Sequence, residues 1–399
     1  MRRFMPAALG TMFAAIPLLP SFIALPGIAF PGVSLLPRWA TLSVLGLCGV
    51  LAVYALVMLA RYPARGSQPL LVPLLSVVGA SLLAGCLGFN PLSGLLFTFI
   101  GGLGIVWQSS VMRFYGDRHA ATTIFTAYLL SGGIAAAVAI VMVVLRTPVS
   151  LYAIQHGRAT GTFILPGELA GYLIFLLPAA YAVACVARSR ALTALAWSVL
   201  AVGVVALTLT FSRAGWMGCA AAFAFLAVVR TRRLPVALAI VAAGVGAIVV
   251  LFNAHHDPSE DYTRLSIWQA ALQIVNRFPL LGVGPFNFSH LYAVVRAPDG
   301  DPTAFHAHNL YLTFLAEFGI VGAAAVGWTL WRFGYELRRR IANAPSRAAL
   351  VACGIAAGLV GAAVQGLIDT VSVVIFGLWM PMMGLALAAA SNAADPVIE

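Results

Sequence analysis

Apolar residues in this chain come in long unbroken runs, and polar residues are confined to the short gaps between them. A hydrocarbon core about 30 Å thick takes about 20 residues of helix. Runs of that order fall at about 6–26, 39–60, 69–89, 91–112, 120–145, 166–187, 191–211, 214–229, 235–252, 308–331, 348–368 and 371–391. The pattern predicts an all-α polytopic membrane protein with about twelve transmembrane helices. One long polar stretch interrupts it between spans nine and ten. The chain thus divides into residues 1–252 with spans one to nine, a loop domain at 253–307, and residues 308–399 with spans ten to twelve and the C-terminus. Inside the loop, Tyr262 to Phe278 reads as an amphipathic helix whose Leu265, Trp268, Ala271, Leu272 and Val275 recur at spacings of three and four. Pro279-Leu280-Leu281-Gly282-Val283-Gly284-Pro285-Phe286 follows as a rigid Gly/Pro turn. A second, shorter loop runs from about Arg146 to Pro166.

Composition narrows the class. Of 399 residues, 62% are hydrophobic and 9% are charged, with a mean hydropathy of +0.98. A soluble chain is roughly a quarter Asp, Glu, Lys and Arg, so a soluble enzyme, a secreted disulfide scaffold and a disordered regulator are all excluded. All 23 basic residues are arginine, against 12 acids, for a net charge of +11. These arginines stand singly or in twos and threes between apolar runs, with no basic face or reader motif, so the expected partner is the lipid bilayer and not nucleic acid. With both termini in the cytoplasm, sixteen of the 23 arginines fall on cytoplasmic connections, as positive-inside asymmetry requires. The seven others are Arg38, Arg146, Arg158, Arg213, Arg264, Arg277 and Arg296, and the 253–307 loop is then periplasmic. The five cysteines lie inside apolar runs with no CxxC spacing and read as small core residues. Met-Arg-Arg before an apolar run resembles a signal peptide, but without a small-residue cleavage site it is expected to stay as the first span.

The residues able to do chemistry collect on the outer side. Arg213, in Ser212-Arg213-Ala214-Gly215-Trp216, sits at the hairpin between spans seven and eight, where an ionisable group is costly unless paired or bound. Arg264 lies on the loop helix, within i+4 of Glu260. His308, in Phe305-His306-Ala307-His308-Asn309-Leu310-Tyr311-Leu312, stands at the mouth of span ten, where an imidazole titrates near neutral pH and can serve as a general base. The His306/His308 pair also invites a metal reading, but no further ligand stands at a recognisable spacing. Glu317 falls about 13 Å deeper on the opposite helix face, which predicts a buried helix–helix hydrogen bond instead of a partnership with His308. Arg158, Glu168 at the start of span six and Asp369 at the end of span eleven are further candidates for lining an outer cavity. Each residue taken singly has a plain structural reading: a membrane-edge anchor, a solvated helix face or a loop charge. Arginines grip phosphate oxygens and keep their charge when partly desolvated, so together with a histidine they suit a reaction in which a diphosphate leaves and a hydroxyl attacks.

At these residues the chain resembles the O-antigen ligase and polymerase superfamily of bacterial envelope glycosyltransferases. The resemblance rests on Ser212-Arg213-Ala214-Gly215, on Arg264-Leu265-Ser266-Ile267-Trp268 with Pro279 to Pro285, and on His308-Asn309-Leu310-Tyr311-Leu312 through Gly322. It implies an inner-membrane enzyme with its active site facing the periplasm. The enzyme would take a polyprenyl-diphosphate-linked glycan as donor and lipid A–core as acceptor, giving lipopolysaccharide. It assigns the essential His to His308 and diphosphate binding to Arg213 and Arg264. The residues themselves add Arg158 as an assisting group and His306, which is not the motif position, Asn309, Asp369 and Glu168 as secondary candidates. Many relatives carry Asn where Glu168 stands. The expected reaction is inverting and needs neither metal nor cofactor. The alternatives are a polymerase that extends the lipid-linked glycan and a transporter of it. A transporter concentrates charge near the bilayer midplane, whereas here the polar groups gather at one face, and the short 146–166 loop leans towards the ligase.

Overall fold

The computed structural model describes residues 2–19, 35–63, 68–117, 119–231, 234–255, 258–302, 304–370 and 377–391, and among them every regular element is helical. The α-helices are α1 (Met5–Ala15), α2 (Arg38–Arg61), α3 (Leu71–Leu87), α4 (Pro91–Phe114), α5 (Ala120–Leu145), α6 (Val149–Ile154), α7 (Pro166–Val186), α8 (Arg190–Leu209), α9 (Arg213–Thr231), α10 (Leu234–His255), α11 (Pro258–Arg277), α12 (Phe288–Val295), α13 (Leu310–Ile341), α14 (Ser346–Gln365) and α15 (Trp379–Ser391). Seven helices among the described residues are long and apolar enough to cross a bilayer, namely α2, α4, α5, α7, α8, α13 and α14, while α3, α9 and α15 are shorter apolar helices. The end of the expected first span, the start of the expected twelfth at 371–376 and the side chain of Glu260 lie outside the described residues.

α7 forms the centre of the bundle, packing against α8, α9 and α14. In lipid no hydrophobic force drives helix onto helix, so close approach depends on small residues. α9 and α14 meet in this way: a Cβ built on Gly361 would lie 2.5 Å from the Gly218 carbonyl oxygen.

Contacts between connections fall into two groups. In one, Arg2 pairs with Asp117, Arg113 donates to the Tyr62 carbonyl, and Arg340 reaches the Leu387 carbonyl and the Ser391 hydroxyl. In the other, the Phe89 amide donates to Val283, Arg158 to Thr210, Gln365 to Gly167 and Asn309 to Leu367, and Arg213 pairs with Asp261. The second group joins every segment that bears a candidate site residue.

α13 is not the continuous helix its apolar run suggests. It breaks at Gly319, whose φ of 59° and ψ of −165° leave the helical region. A break in an apolar region orphans backbone groups that must find partners within the protein. The Gly/Pro segment supplies them. Val283 and Gly284 amides donate to the Ala316 and Glu317 carbonyls at 2.9 and 3.0 Å, and the Ile320 and Val321 amides donate to Pro279 and Leu280 at 2.9 and 3.1 Å. Glu317 is buried as expected. Its carboxylate accepts from the amide of Phe288, the first residue of α12, at 3.3 Å and from Phe286, so it links α13 to the start of α12 within the loop.

The loop between α10 and α13 has its own small core. Ile267, Ala270, Ala271 and Ile274 of α11 pack on Val283, Phe288, Leu291, Tyr292, Ala304, Ala307 and Ala316. This face is rotated from the predicted one. Leu265 and Leu272 are each 51% exposed, whereas Ala271 and Val275 do face inwards. α11 is apolar on two sides, and side-chain spacing alone does not say which side turns inwards.

Candidate active site

The site is assembled from four segments, each held by local chemistry. The turn between α8 and α9 is only three residues long. Ser212 caps α9, its hydroxyl accepting the Gly215 amide at 3.0 Å, and a Cβ on Gly215 would come within 2.7 Å of Ala170 Cβ on α7. The Ser-Arg-Ala-Gly motif is therefore a cap, a cation and a close approach. It places Arg213 on the first turn of a helix, where the backbone itself presents a partial positive charge suited to anions.

Arg213 reaches across to α11, with its Nη2 3.0 Å from Asp261 Oδ1. One helical turn beyond Asp261 stands Arg264, half-buried. Asp261 was not singled out by sequence. Its i−3 spacing from Arg264 is visible, but its pairing with a residue 48 positions away is not. Arg158 donates through Nε to the Thr210 carbonyl at 2.9 Å, and the Ala159 amide donates to Leu209, so the 146–166 loop is fastened to the same turn that carries Arg213.

His308 immediately precedes α13. Asn309 caps that helix, with Oδ1 accepting the Leu312 amide at 3.0 Å, while its Nδ2 donates to the Leu367 carbonyl at 2.7 Å. The Leu310 amide donates to Gly366 at 2.8 Å. These bonds lock the start of α13 to the end of α14 and bring Asp369 beside His308, with Nδ1 to Oδ1 at 4.0 Å. The other Asp369 oxygen lies against Gly167 at the start of α7. Thr313 accepts the Ala307 amide and bonds Thr370, closing the ring of segments.

The His306 and His308 rings sit edge to face with centroids 4.3 Å apart. Burial, the charge on His308 and the charge on Arg264 together hold the His306 imidazolium well below the usual range, against a backbone hydrogen bond that raises it. Arg264 thus acts electrostatically on His306. Glu168 is placed differently: its carboxylate accepts the Ile164 and Leu165 amides at 3.1 and 3.4 Å and caps α7. Asn309 is likewise held by backbone partners. Among the described residues no group of three or more His, Cys, Asp or Glu gathers as a metal set.

The arrangement brings His308, His306, Asp369 and Arg264 together at one end of the bundle. Arg213 and Arg158 are joined to them through Asp261 and the Thr210 turn. Fold and site together define a multi-pass helical membrane protein with a basic, histidine-bearing cluster where its connections meet. Residues 197–327 match the family model described as O-antigen ligase, which supports placing the chain in the O-antigen ligase and polymerase family and points to a glycosyltransferase of that type. The matched stretch contains Arg213, Arg264, His306, His308 and Asn309, whereas Arg158, Glu168 and Asp369 lie outside it. No curated protein matches the chain.

Proposed function

We propose that the protein transfers O-antigen glycan from a polyprenyl diphosphate carrier to lipid A–core at the periplasmic face of the bacterial inner membrane. The acceptor hydroxyl attacks the anomeric carbon on the face opposite the diphosphate. Its proton passes to His308 Nε2 as the C–O bond forms, and the anomeric C–O bond to the diphosphate breaks, its electron pair leaving with the phosphate oxygen. Arg213, at the positive end of α9, and Arg264 neutralise the leaving group, with Arg158 assisting, so the reaction proceeds by inversion without a metal. The observation that carries this reading is the placement of Asp369 at His308 Nδ1. A carboxylate there favours the tautomer with the proton on Nδ1, in which Nε2 is the accepting nitrogen, and steadies the imidazolium once formed. The distribution of 23 arginines supports the outward orientation.

The test uses purified protein in detergent with polyprenyl-diphosphate glycan, lipid A–core and EDTA. Laddered lipopolysaccharide is the expected product. Growth of the lipid-linked chain without lipid A–core would make the protein a polymerase instead. Donor binding without transfer under either condition would favour a transporter.

Asp369→Asn should lower kcat about 10²-fold while leaving the donor KM near wild type, as expected for lost orientation of a base. The 4.0 Å separation is looser than a hydrogen bond, so the loss should stay below the roughly 10⁴-fold cost of a wrong tautomer in a tightly bonded triad. Equal kcat in both proteins would remove Asp369 from the mechanism.

A further inference from the structure

We infer that His306 is a positioning residue that holds the His308 backbone in its working conformation through a side-chain acceptor bond. The inference rests on the reading of His308 as the base. His308 has a φ of 46°, in the left-handed region that few non-glycine residues enter, Asn, Asp and His more often than the rest. A residue held there needs a local bond to offset the strain, and one is present. The His308 amide donates to His306 Nδ1 at 3.1 Å. The two residues stand at positions i and i+2, the relation by which an Asn or Asp side chain closes a turn on its own backbone.

This bond fixes the tautomer of His306. Nδ1 is an acceptor only in the neutral ring, with the proton on Nε2. The surroundings favour that state: burial and the charges of His308 and Arg264 oppose protonation and outweigh the one backbone hydrogen bond that favours it, and the ring packs edge-on between Phe305, at 4.2 Å, and His308, at 4.3 Å. Two histidines in one short motif therefore have separate roles. His308 faces Asp369 with its side chain, while His306 engages the His308 main chain and has no Nδ1 lone pair left to act as a second base.

The Asx geometry provides a discriminating test. In His306→Asn the amide oxygen can accept the same i+2 amide, whereas His306→Ala leaves it without that partner. In the reconstituted transfer assay, His306→Ala should lose about tenfold in kcat, with the donor KM unchanged. His306→Asn should recover to within about threefold of wild type. In ¹⁵N-histidine spectra of the full-length protein in detergent, the ring nitrogen lost in His306→Asn should be an unprotonated Nδ1 near neutral pH. Wild-type kcat in His306→Ala, equal impairment in Ala and Asn, or a protonated Nδ1 would each overturn the inference. His308→Ala run alongside separates the two readings. If that variant transfers normally, the base assignment has failed, whereas if it is inactive and His306→Ala is not, only the positioning role has failed.

Discussion

His308→Ala is expected to lower glycan transfer by about 10³-fold, within the 10² to 10⁴ range for loss of a general base, with donor binding intact. Among the described residues, the groups named with His308 in the site are held by other bonds. His306 is the nearest imidazole, but its Nδ1 accepts the His308 amide. Glu168 accepts two amides of its own cap. The Asp369 carboxylate accepts the Thr370 amide at 2.8 Å and lies against Gly167. The measurement is the initial rate of ladder formation by purified protein, paired with donor binding on the same preparation. A residual rate within tenfold of wild type, from protein that binds donor normally, would show that the acceptor loses its proton elsewhere. Substitution of Arg213 would give a different signature: on the proposed reading it removes a contact to the leaving diphosphate and should weaken donor binding and turnover together.

The helical runs and the loop between α10 and α13 are legible because hydrocarbon thickness imposes run length, and polar residues have nowhere else to go. Local signals at the site, a Ser cap at 212 and an Asn cap at 309, stand in the sequence but are not singled out there. What escapes is long-range or two-sided. No spacing rule joins Arg213 to Asp261, since they meet only when α11 lies across the start of α9. The inward face of α11 is only partly legible, because Leu265 and Leu272 form an apolar stripe that competes with Ile267, Ala270 and Ile274. The buried link made by Glu317 is legible in kind but not in partner, because nothing local shows that the loop returns the Phe288 amide at the start of α12 to that depth. The break in α13 escaped for a similar reason. Gly319 lies in a run that also holds Gly322 and Gly327, and only the course of residues 279–284 distinguishes it from them.

That distinction gives the second large effect. Gly319→Ala should destabilise the protein severely, whereas Gly327→Ala, eight residues along the same helix, should be neutral or slightly stabilising. A Cβ on Gly319 would lie 2.3 Å from the Leu280 carbonyl oxygen, 2.4 Å from its carbon and 2.6 Å from the Leu281 nitrogen, all backbone atoms that cannot rotate away. Its φ of 59° adds roughly 1–2 kcal/mol for any residue bearing a Cβ. Gly282, itself at φ 66°, makes the matching close approach from the other side, where a Cβ would lie 2.4 Å from the Glu317 carbonyl carbon, so the segments can only move apart against the four bonds between them. Relief of the clash must therefore break some of the four bonds that heal the helix, and each buried group left without a partner costs about 1–3 kcal/mol. A Cβ on Gly327 meets nothing within 4 Å, and alanine is the better helix former. Thermal unfolding of both variants in detergent, with protease sensitivity of the loop between α10 and α13, makes the comparison. Equal stability of the two would show that the interlock at Gly319 does not hold the loop. Transfer should fall further in Gly319→Ala than the loss of folded protein explains. The 279–288 segment that closes the break continues directly from α11, so loosening it shifts Arg264 relative to His308, and a displacement of about 1 Å at a reacting centre costs about 10²-fold in rate.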